Sequence, residues 1–319
     1  MNSASFIGVD VAQRTLDIAV GEHTTVQHIA NTQQAIEAWL QQLPSGCRIA
    51  LESTGSLHLR LVRCAIAAGH TVYVLNPRDL AHYACSLGRR AKTDRLDAQL
   101  IARYLQREHE QLHPYCLPSA SQTEFDELIG RRHQVVRAQV SLRLSFAGCA
   151  HTPLPALRDV LTDLQNLTEQ IDERMQQLID QDERLAQAAR HLRTIVGFGP
   201  LLSASLAHAL RRRTFRNADS FVAYLGYDPR VRESGQWRGR RFLSKRGSPE
   251  LRRLLFVGAM SACKSDTWKA FYQRYRDRGL SSTAALVILA RKLARTAFSM
   301  LKYDQDFSSE RIQHSCVHP

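Results

Sequence analysis

Phe6-Ile-Gly-Val-Asp10-Val11 is an apolar run that closes on a carboxylate, and after a polar turn Thr15-Leu-Asp-Ile-Ala-Val-Gly21 repeats the pattern. A third short run lies within Thr24 to Ala30. Three β-rich segments this close together read as strands of a meander. Outward from them, Asn31 or Thr32 can cap a helix whose Ile36, Trp39, Leu40 and Leu43 share one face before Pro44-Ser-Gly46 stops it. Arg48-Ile-Ala-Leu-Glu52 then reads as a buried strand, Ser56 to Ala68 as a helix closed by Gly69, and Thr71-Val-Tyr-Val-Leu75 as a strand halted by Asn76-Pro77. The order β-β-β-α-β-α-β-α predicts an α/β unit: a mixed sheet, antiparallel then parallel, with helices on both faces.

Beyond this unit the periodicity turns helical. Gln122 to Leu144 reads as one helix, and after Thr152-Pro-Leu-Pro155 apolar residues hold a heptad register at Leu154, Leu157, Leu161, Leu164, Ile171, Met175, Leu178 and Leu185, with Thr168 and Asp182 as exceptions. A hairpin closed on itself and a coiled coil that dimerises the chain fit this pattern equally. Leu192 to Leu206 carries Gly197-Phe-Gly199-Pro200 between two helical stretches, the pattern of a helix-hairpin-helix in which hairpin N–H groups meet a DNA phosphate. An ordinary helix connection with packing glycines is the plainer reading. Helices over Pro249 to Cys263 and Ser281 to Leu301 complete an α-rich domain. The expected division is 1–112 for the α/β domain, 113–190 for the helical connector, 191–305 for the basic domain and 306–319 for a tail.

The net charge of +13 is unevenly spread. Arg190 to Lys302 holds 24 Lys/Arg against 6 Asp/Glu, whereas the rest of the chain holds 19 against 24. A polyanion-binding part is thus joined to an acidic one, which points to nucleic acid. The seven cysteines form no C-x-x-C pair, which argues against a disulfide framework or zinc site and for core thiols in a reducing compartment. Met1 to Gly8 lacks the basic and apolar regions of a secretory signal, and Thr194 to Leu210 is too short and interrupted to span a membrane. The expectation is a soluble, cytoplasmic protein.

Four carboxylates attract a chemical reading. Asp10 and Glu52 end strands, while Asp94 and Asp97 stand three apart where Lys92-Thr-Asp-Arg-Leu-Asp-Ala98 opens a helix, so both can point to one spot. Four such groups in one place repel one another unless cations neutralise them, and hard oxygen donors suit Mg²⁺ or Mn²⁺ in a two-metal phosphoryl-transfer site. Taken singly, each has a structural reading as a turn cap, an arginine partner or a helix-dipole partner. Asp17 reads as structural. Ser244, within Trp237-Arg-Gly-Arg-Arg-Phe-Leu-Ser-Lys-Arg-Gly247, would sit beside bound phosphate, either as a hydrogen-bonding group or as a nucleophile. Ser248 before Pro249 reads as a helix cap. Phosphate contacts are expected from Arg211, Arg212, Arg213, Arg238, Arg240, Arg241, Lys245, Arg246, Arg252 and Arg253, and from the backbone at Gly197 and Gly199.

Ile7-Gly-Val-Asp10, Leu51-Glu-Ser-Thr-Gly55, Asn76-Pro77, Lys92-Thr-Asp-x-x-Asp-Ala98, Gly197-x-Gly-Pro200 and Ser244-Lys-Arg-Gly-x-x-x-Leu-Arg252 together resemble the DEDD transposases of the insertion sequence 110 family, relatives of pilin-gene DNA invertases. The resemblance spans roughly residues 6–105 and 192–300. It implies a RuvC-like, RNase H-like N-terminal domain with a metal-binding tetrad at Asp10, Glu52, Asp94 and Asp97. It also implies a C-terminal transposase domain whose serine, at Ser244 here, attacks DNA to form a phosphoserine link. Multimers, dimers or tetramers, that set the carboxylates of one subunit against the serine of another are implied too, as is a structured guide RNA encoded by the element. The rival readings are a Holliday-junction resolvase that only hydrolyses, an actin-like-fold kinase or ATPase, and a non-catalytic nucleic-acid-binding protein.

Overall fold

Alternating side chains in the first strand decide how the sheet is covered. The computed structural model describes residues 5–21, 25–53, 55, 57–88, 94–148, 154–230, 233–234, 237–238 and 242–309, with the backbone alone at 94–96, 233–234 and 237–238. The chain folds as two units, Met1–Leu117 and Pro118–Pro319.

In the first unit, β1 (Phe6–Val11), β2 (Thr15–Val20), β3 (Gln27–Ala30), β4 (Arg48–Glu52) and β5 (Thr71–Leu75) form one sheet in the order β3-β2-β1-β4-β5. The pairs β1–β2 and β2–β3 are antiparallel, β1–β4 and β4–β5 parallel. This is the mixed sheet that the order of elements predicts. Ile7, Val9, Val11, Leu16, Ile18, Ile49 and Leu51 face one way and form a core with Ile36 and Trp39 of α1 (Gln33–Leu40) and Leu61 and Val62 of α2 (Leu59–Ala67). Thr32 caps α1, its hydroxyl accepting from the Ala35 amide.

The opposite face carries Phe6, Gly8, Asp10, Asp17, Ala19, Ala50, Glu52, Tyr73 and Leu75, since residues two apart in a strand share a face. It is covered by α4 (Asp94–Glu108), which also meets α3 (Pro77–Ser86). Ile101 and Leu105 of α4 join Ala50, Tyr73 and Leu75, and Ala98 and Ala102 join Ala19. The contact is close because Gly8 has no side chain: a Cβ there would stand 2.2 Å from the Ala102 amide nitrogen and 2.3 Å from the Ala98 carbonyl oxygen. His109, just past the helix, meets Phe6 with ring centroids 4.8 Å apart. Thus α4 runs antiparallel to β1, and its N-terminal end lies towards the C-terminal ends of β1 and β4.

In the second unit, α5 (Ala120–Ser145) and α6 (Pro155–Asp180) form an antiparallel hairpin tied by Arg132–Asp172 (2.5 Å), Arg174–Glu124 (2.6 Å) and the Gln139 amide on Gln165 (3.2 Å). Near its open end, Phe125, Ile171, Met175 and Leu178 share a core with the basic part of the chain. The heptad register breaks where Asp182 caps α7 (Glu183–Arg193), its carboxylate accepting from the Leu185 amide. Thr168, the other exception, is buried with its hydroxyl donating to the Leu164 carbonyl. Then follow α8 (Pro200–Arg212), α9 (Ala218–Tyr224), the two-residue strands β6 (Pro229–Arg230), β7 (Glu233–Ser234), β8 (Trp237–Arg238) and β9 (Phe242–Leu243), and α10 (Pro249–Ala262), α11 (Asp266–Asp277) and α12 (Ser282–Tyr303). Leu289, Ala290, Leu293, Ala294 and Ala297 are all fully buried, so α12 is the axis on which α7, α9, α10 and α11 pack.

All five described cysteines are free; Cys47 alone of these is buried, while Cys85 and Cys116 are exposed, so the expectation that most are core thiols does not hold for them. Among the described residues no helix is long and apolar enough to cross a membrane.

Gly8→Ala should destabilise the first unit by about 1–3 kcal/mol or more, because α4 backbone has to move to admit one methyl group. Gly130→Ala, in α5 with open space around it, should instead stabilise by about 0.5–1 kcal/mol. Denaturant unfolding of both variants measures the contrast, and equal effects would contradict the packing described.

Candidate functional site

In the sheet, Val9 of β1 pairs with Leu51 of β4, so the next positions along the two strands are Asp10 and Glu52. Adjacent strands lie about 4.8 Å apart, and equivalent positions on parallel neighbours project to the same face. Both residues are half-buried, on the face that α4 covers. Measured from the point where α4 crosses Gly8, Asp10 lies two residues or about 6–7 Å further along β1. Asp97 and Asp94 lie about 4–5 and 9 Å in the same direction along the helix. The backbone therefore carries all four positions to one end of one sheet face. Asp97 is half-buried; Asp94 is the first residue of α4, and its side chain lies outside the described residues, as do Lys92 and Thr93 entirely. Among the described residues, no three His, Cys, Asp or Glu side chains gather in a metal-holding geometry.

A further acid stands in this row. Asp17 of β2 is directly opposite Asp10, and His28 of β3 is directly opposite Asp17, with its Nδ1 against the Asp17 carboxylate. Asp17 is only 5% exposed. Like charges facing each other across a ladder destabilise it unless something offsets the repulsion. The His28 ring nitrogen set against the Asp17 carboxylate offsets part of it. The remaining acids, all hard oxygen donors beside one another, are suited to a divalent cation of the Mg²⁺ or Mn²⁺ kind. The residues present thus fit such an ion in donor chemistry, and the backbone brings their positions to one end of the sheet face. The signal for Asp17 was in the sequence: a turn at Gln13-Arg14 fixes a register in which paired positions sum to 27, and that pairs Asp10 with Asp17.

In the second unit, Ser244 follows β9 and Asp228 precedes β6. Those strands pair Pro229 with Leu243 and Arg230 with Phe242, so Asp228 and Ser244 occupy the next rung. The Ser244 amide donates to the Asp228 carbonyl at 2.9 Å, and its hydroxyl donates to Asp228 Oδ1. The Arg246 amide approaches Ser244 Oγ at 3.5 Å. Ser244 is 6% exposed, and the next residue, Lys245, holds a left-handed φ of 54° that side-chain-bearing residues rarely adopt. Asp228 is thus the partner of the serine.

The loop is anchored from below. Arg252 donates from Nη1 to the Gly247 carbonyl at 2.6 Å and to the Leu225 carbonyl at 3.3 Å, and burial lowers its pKa. The Tyr227 hydroxyl donates to the Arg252 carbonyl at 2.9 Å, and burial pushes that phenol well above its ordinary pKa. Gly247 admits no side chain, since a Cβ would stand 1.8 Å from the Tyr224 carbonyl oxygen. Ser248 caps α10 as its position before Pro249 predicts.

The nominated cations divide into two groups. Arg252 is spent on carbonyls; Arg253 is paired with Glu250 at 2.6 and 2.8 Å, which raises its pKa. Glu250 also accepts from His133 at 2.8 Å. Arg212 pairs with Asp126, and Arg213 lies over the Tyr224 ring at 5.2 Å. Arg211, Arg213 and Lys302 line a shallow cleft with Phe215 and Phe298, and Lys245 and Arg246 are exposed. Arg240 and Arg241 lie outside the described residues, and Arg238 is described in backbone only. Between α7 and α8, Gly197 has a φ of 98°, and its missing Cβ would stand 2.7 Å from Ala262 Cβ, so its need for glycine is met by packing on α10. Gly199 is the N-cap of α8 with open space around it.

Arg252→Met should remove both carbonyl contacts and cost about 1–3 kcal/mol for each acceptor left buried without a donor. The thermal midpoint should fall while Arg211→Ala leaves it within error; no shift for Arg252→Met would show that the loop is held otherwise.

Comparison with known proteins reaches both units. A family model of the IS110 DEDD type, described as Transposase, matches residues 7–149. A second, described as Transposase IS116/IS110/IS902 family, matches residues 189–273. The pilin gene-inverting protein of Moraxella bovis is 27% identical over 317 residues, covering 96% of this chain and 98% of that protein. That of Moraxella lacunata is likewise 27% identical, with the same coverage of each. A Pseudomonas aeruginosa protein named "Probable family 20 transposase" is 29% identical over 93% of this chain and 96% of its own length.

Proposed function

Because this chain belongs to the IS110 family of transposases, matched in both of its units, we propose that it cuts and exchanges DNA strands with the acids of its sheet and the serine of its basic loop. It is a DNA recombinase of the transposase and invertase class, and that family implies use of a divalent metal. The observation that carries the finer reading is the placement of Asp10 and Glu52 at equivalent positions on neighbouring strands of one sheet face, towards the start of α4.

Asp10, Glu52, Asp94 and Asp97 would hold Mg²⁺ or Mn²⁺. When bound, such ions supply positive charge to a scissile phosphate and to the oxygen that departs from it. The chain's own groups do the rest. The tetrad would hold the ions in place, and Asp17 with His28 flanks the Asp10 side of the row. Ser244 attacks phosphorus, so that the strand end is kept as a phosphoserine rather than released by water. Arg211, Arg213, Lys245, Arg246 and Lys302 carry the DNA backbone, which makes affinity fall steeply with salt. As the family resemblance implies, several copies assemble on DNA in the cytoplasm, as a dimer or tetramer, and a structured RNA encoded by the element selects the DNA. RNA that copurifies with the protein and maps to sequence flanking its own coding region is the expected sign of that guide.

A hydrolytic resolvase would need the acids but not Ser244, and a covalent protein–DNA adduct separates the two. Asp10→Asn, Glu52→Gln and Asp97→Asn should each slow Mg²⁺-dependent cleavage of DNA carrying the element ends by about 100-fold or more, with DNA affinity retained. Unimpaired turnover by Asp97→Asn would end the metal-site reading. Ser244→Ala should abolish the adduct and strand cleavage with it; cleavage at the full rate by Ser244→Ala would leave water as the nucleophile.

A further inference from the structure

A serine hydroxyl ionises far above neutral pH, so a serine nucleophile needs a group that accepts its proton as it attacks. The surrounding cations do not meet this need: lysine and arginine side chains are donors with no lone pair to offer. They lower the cost of an alkoxide but cannot make one.

We propose that Asp228 is the general base for Ser244, taking the hydroxyl proton on Oδ1 as Oγ bonds to the DNA phosphorus. The inference rests on the reading of Ser244 as the nucleophile. Among the described residues, the acceptor of the Ser244 hydroxyl is Asp228 Oδ1, and the contact is dictated by the ladder that puts the two residues on one rung. The arrangement leaves the oxygen correctly disposed. Its proton points at Asp228, one lone pair faces the Arg246 amide at 3.5 Å, and among the described residues none takes the other, which can meet phosphorus. The Arg246 N–H also meets the negative charge that grows on Oγ.

A purely architectural role for the carboxylate is already filled by other groups. The Ser244 amide holds the Asp228 carbonyl at 2.9 Å, the Lys245 amide holds the Gly226 carbonyl at 3.1 Å, and Arg252 pins Gly247 to the end of α9. These backbone and arginine contacts set the loop without the Asp228 side chain. Its remaining feature is basicity, directed at the one hydroxyl in the most basic loop of the chain.

The step balances as follows. The Oγ–P bond forms, and the Oγ–H proton passes to Asp228. The P–O bond to the departing deoxyribose oxygen breaks, its electron pair leaves on that oxygen, and a solvent proton completes the free hydroxyl. Religation runs in reverse. An incoming strand hydroxyl gives its proton to solvent and attacks the phosphoserine, and Oγ leaves and recovers the proton stored on Asp228.

The test uses the full-length protein with any RNA it retains, Mg²⁺ and DNA carrying the element ends, and follows the covalent adduct on denaturing gels in single turnover. Asp228→Asn keeps the shape and an acceptor oxygen but is not a base. Its adduct should form about 100-fold or more slowly at saturating protein, with half-saturation and unfolding midpoint unchanged. Should Asp228→Asn lower the midpoint, Asp228→Glu and Asp228→Gln are compared instead, since they are alike in size and differ in basicity. Glu is expected to be at least about tenfold faster than Gln. Equal rates for that pair, or a wild-type rate for Asp228→Asn beside an inactive Ser244→Ala, would overturn the role of Asp228 alone. An adduct that still forms with Ser244→Ala would overturn the nucleophile reading and this inference with it.

Discussion

The absence of one side chain organises the first unit. With only hydrogen at Gly8, the backbone of α4 reaches the middle strand closely enough that Ala98 and Ala102 lie on it. Helix and strand then share a fixed crossing point. Because the helix runs against the strand, whatever stands at the start of α4 is delivered to where β1 and β4 end. The small residues Ala19 and Ala50 around the crossing keep the approach close, and the larger Ile101 and Leu105 fill the space further along. The acids at one end are thus held by packing at the other.

That geometry concentrates negative charge. Glu52, Asp10 and Asp17 occupy successive strands on one face, and Asp17 is nearly sealed from water. A fold assembled for stability alone would place apolar or small residues there, as it does two positions earlier, where Gly8 and Ala50 lie side by side. The cost of the acids is sustained because Ile7, Val9, Ile49 and Leu51 on the reverse face anchor the same strands in a fully apolar core.

Most of the sheet was legible in the sequence, because each strand is short, apolar and bounded by a turn residue, and because Thr32, Pro77 and Gly69 punctuate the helices between them. Asp10 and Glu52 could be nominated as strand-end acids for the same reason. The break between α6 and α7 was not legible, since Asp182 sits in phase with the heptad and only its capping bond to the Leu185 amide shows that it ends the pattern. The partner of Ser244 was equally hidden. Asp228 lies sixteen residues upstream, and strands of two residues leave no periodicity to read. Arginines were over-nominated because a run of cations looks alike whether it faces a phosphate or, like Arg252 and Arg253, a carbonyl or carboxylate of its own unit.

The brevity of the β6–β9 ladder has an evolutionary consequence. Two rungs fix little by themselves, and the ladder is anchored from the core side by Tyr227, Gly226 and Arg252. Sequence change away from these anchors can therefore accumulate while the rung bearing Asp228 and Ser244 keeps its alignment. A lineage meeting new DNA can thus change what surrounds this rung while the aspartate and the serine on it stay face to face.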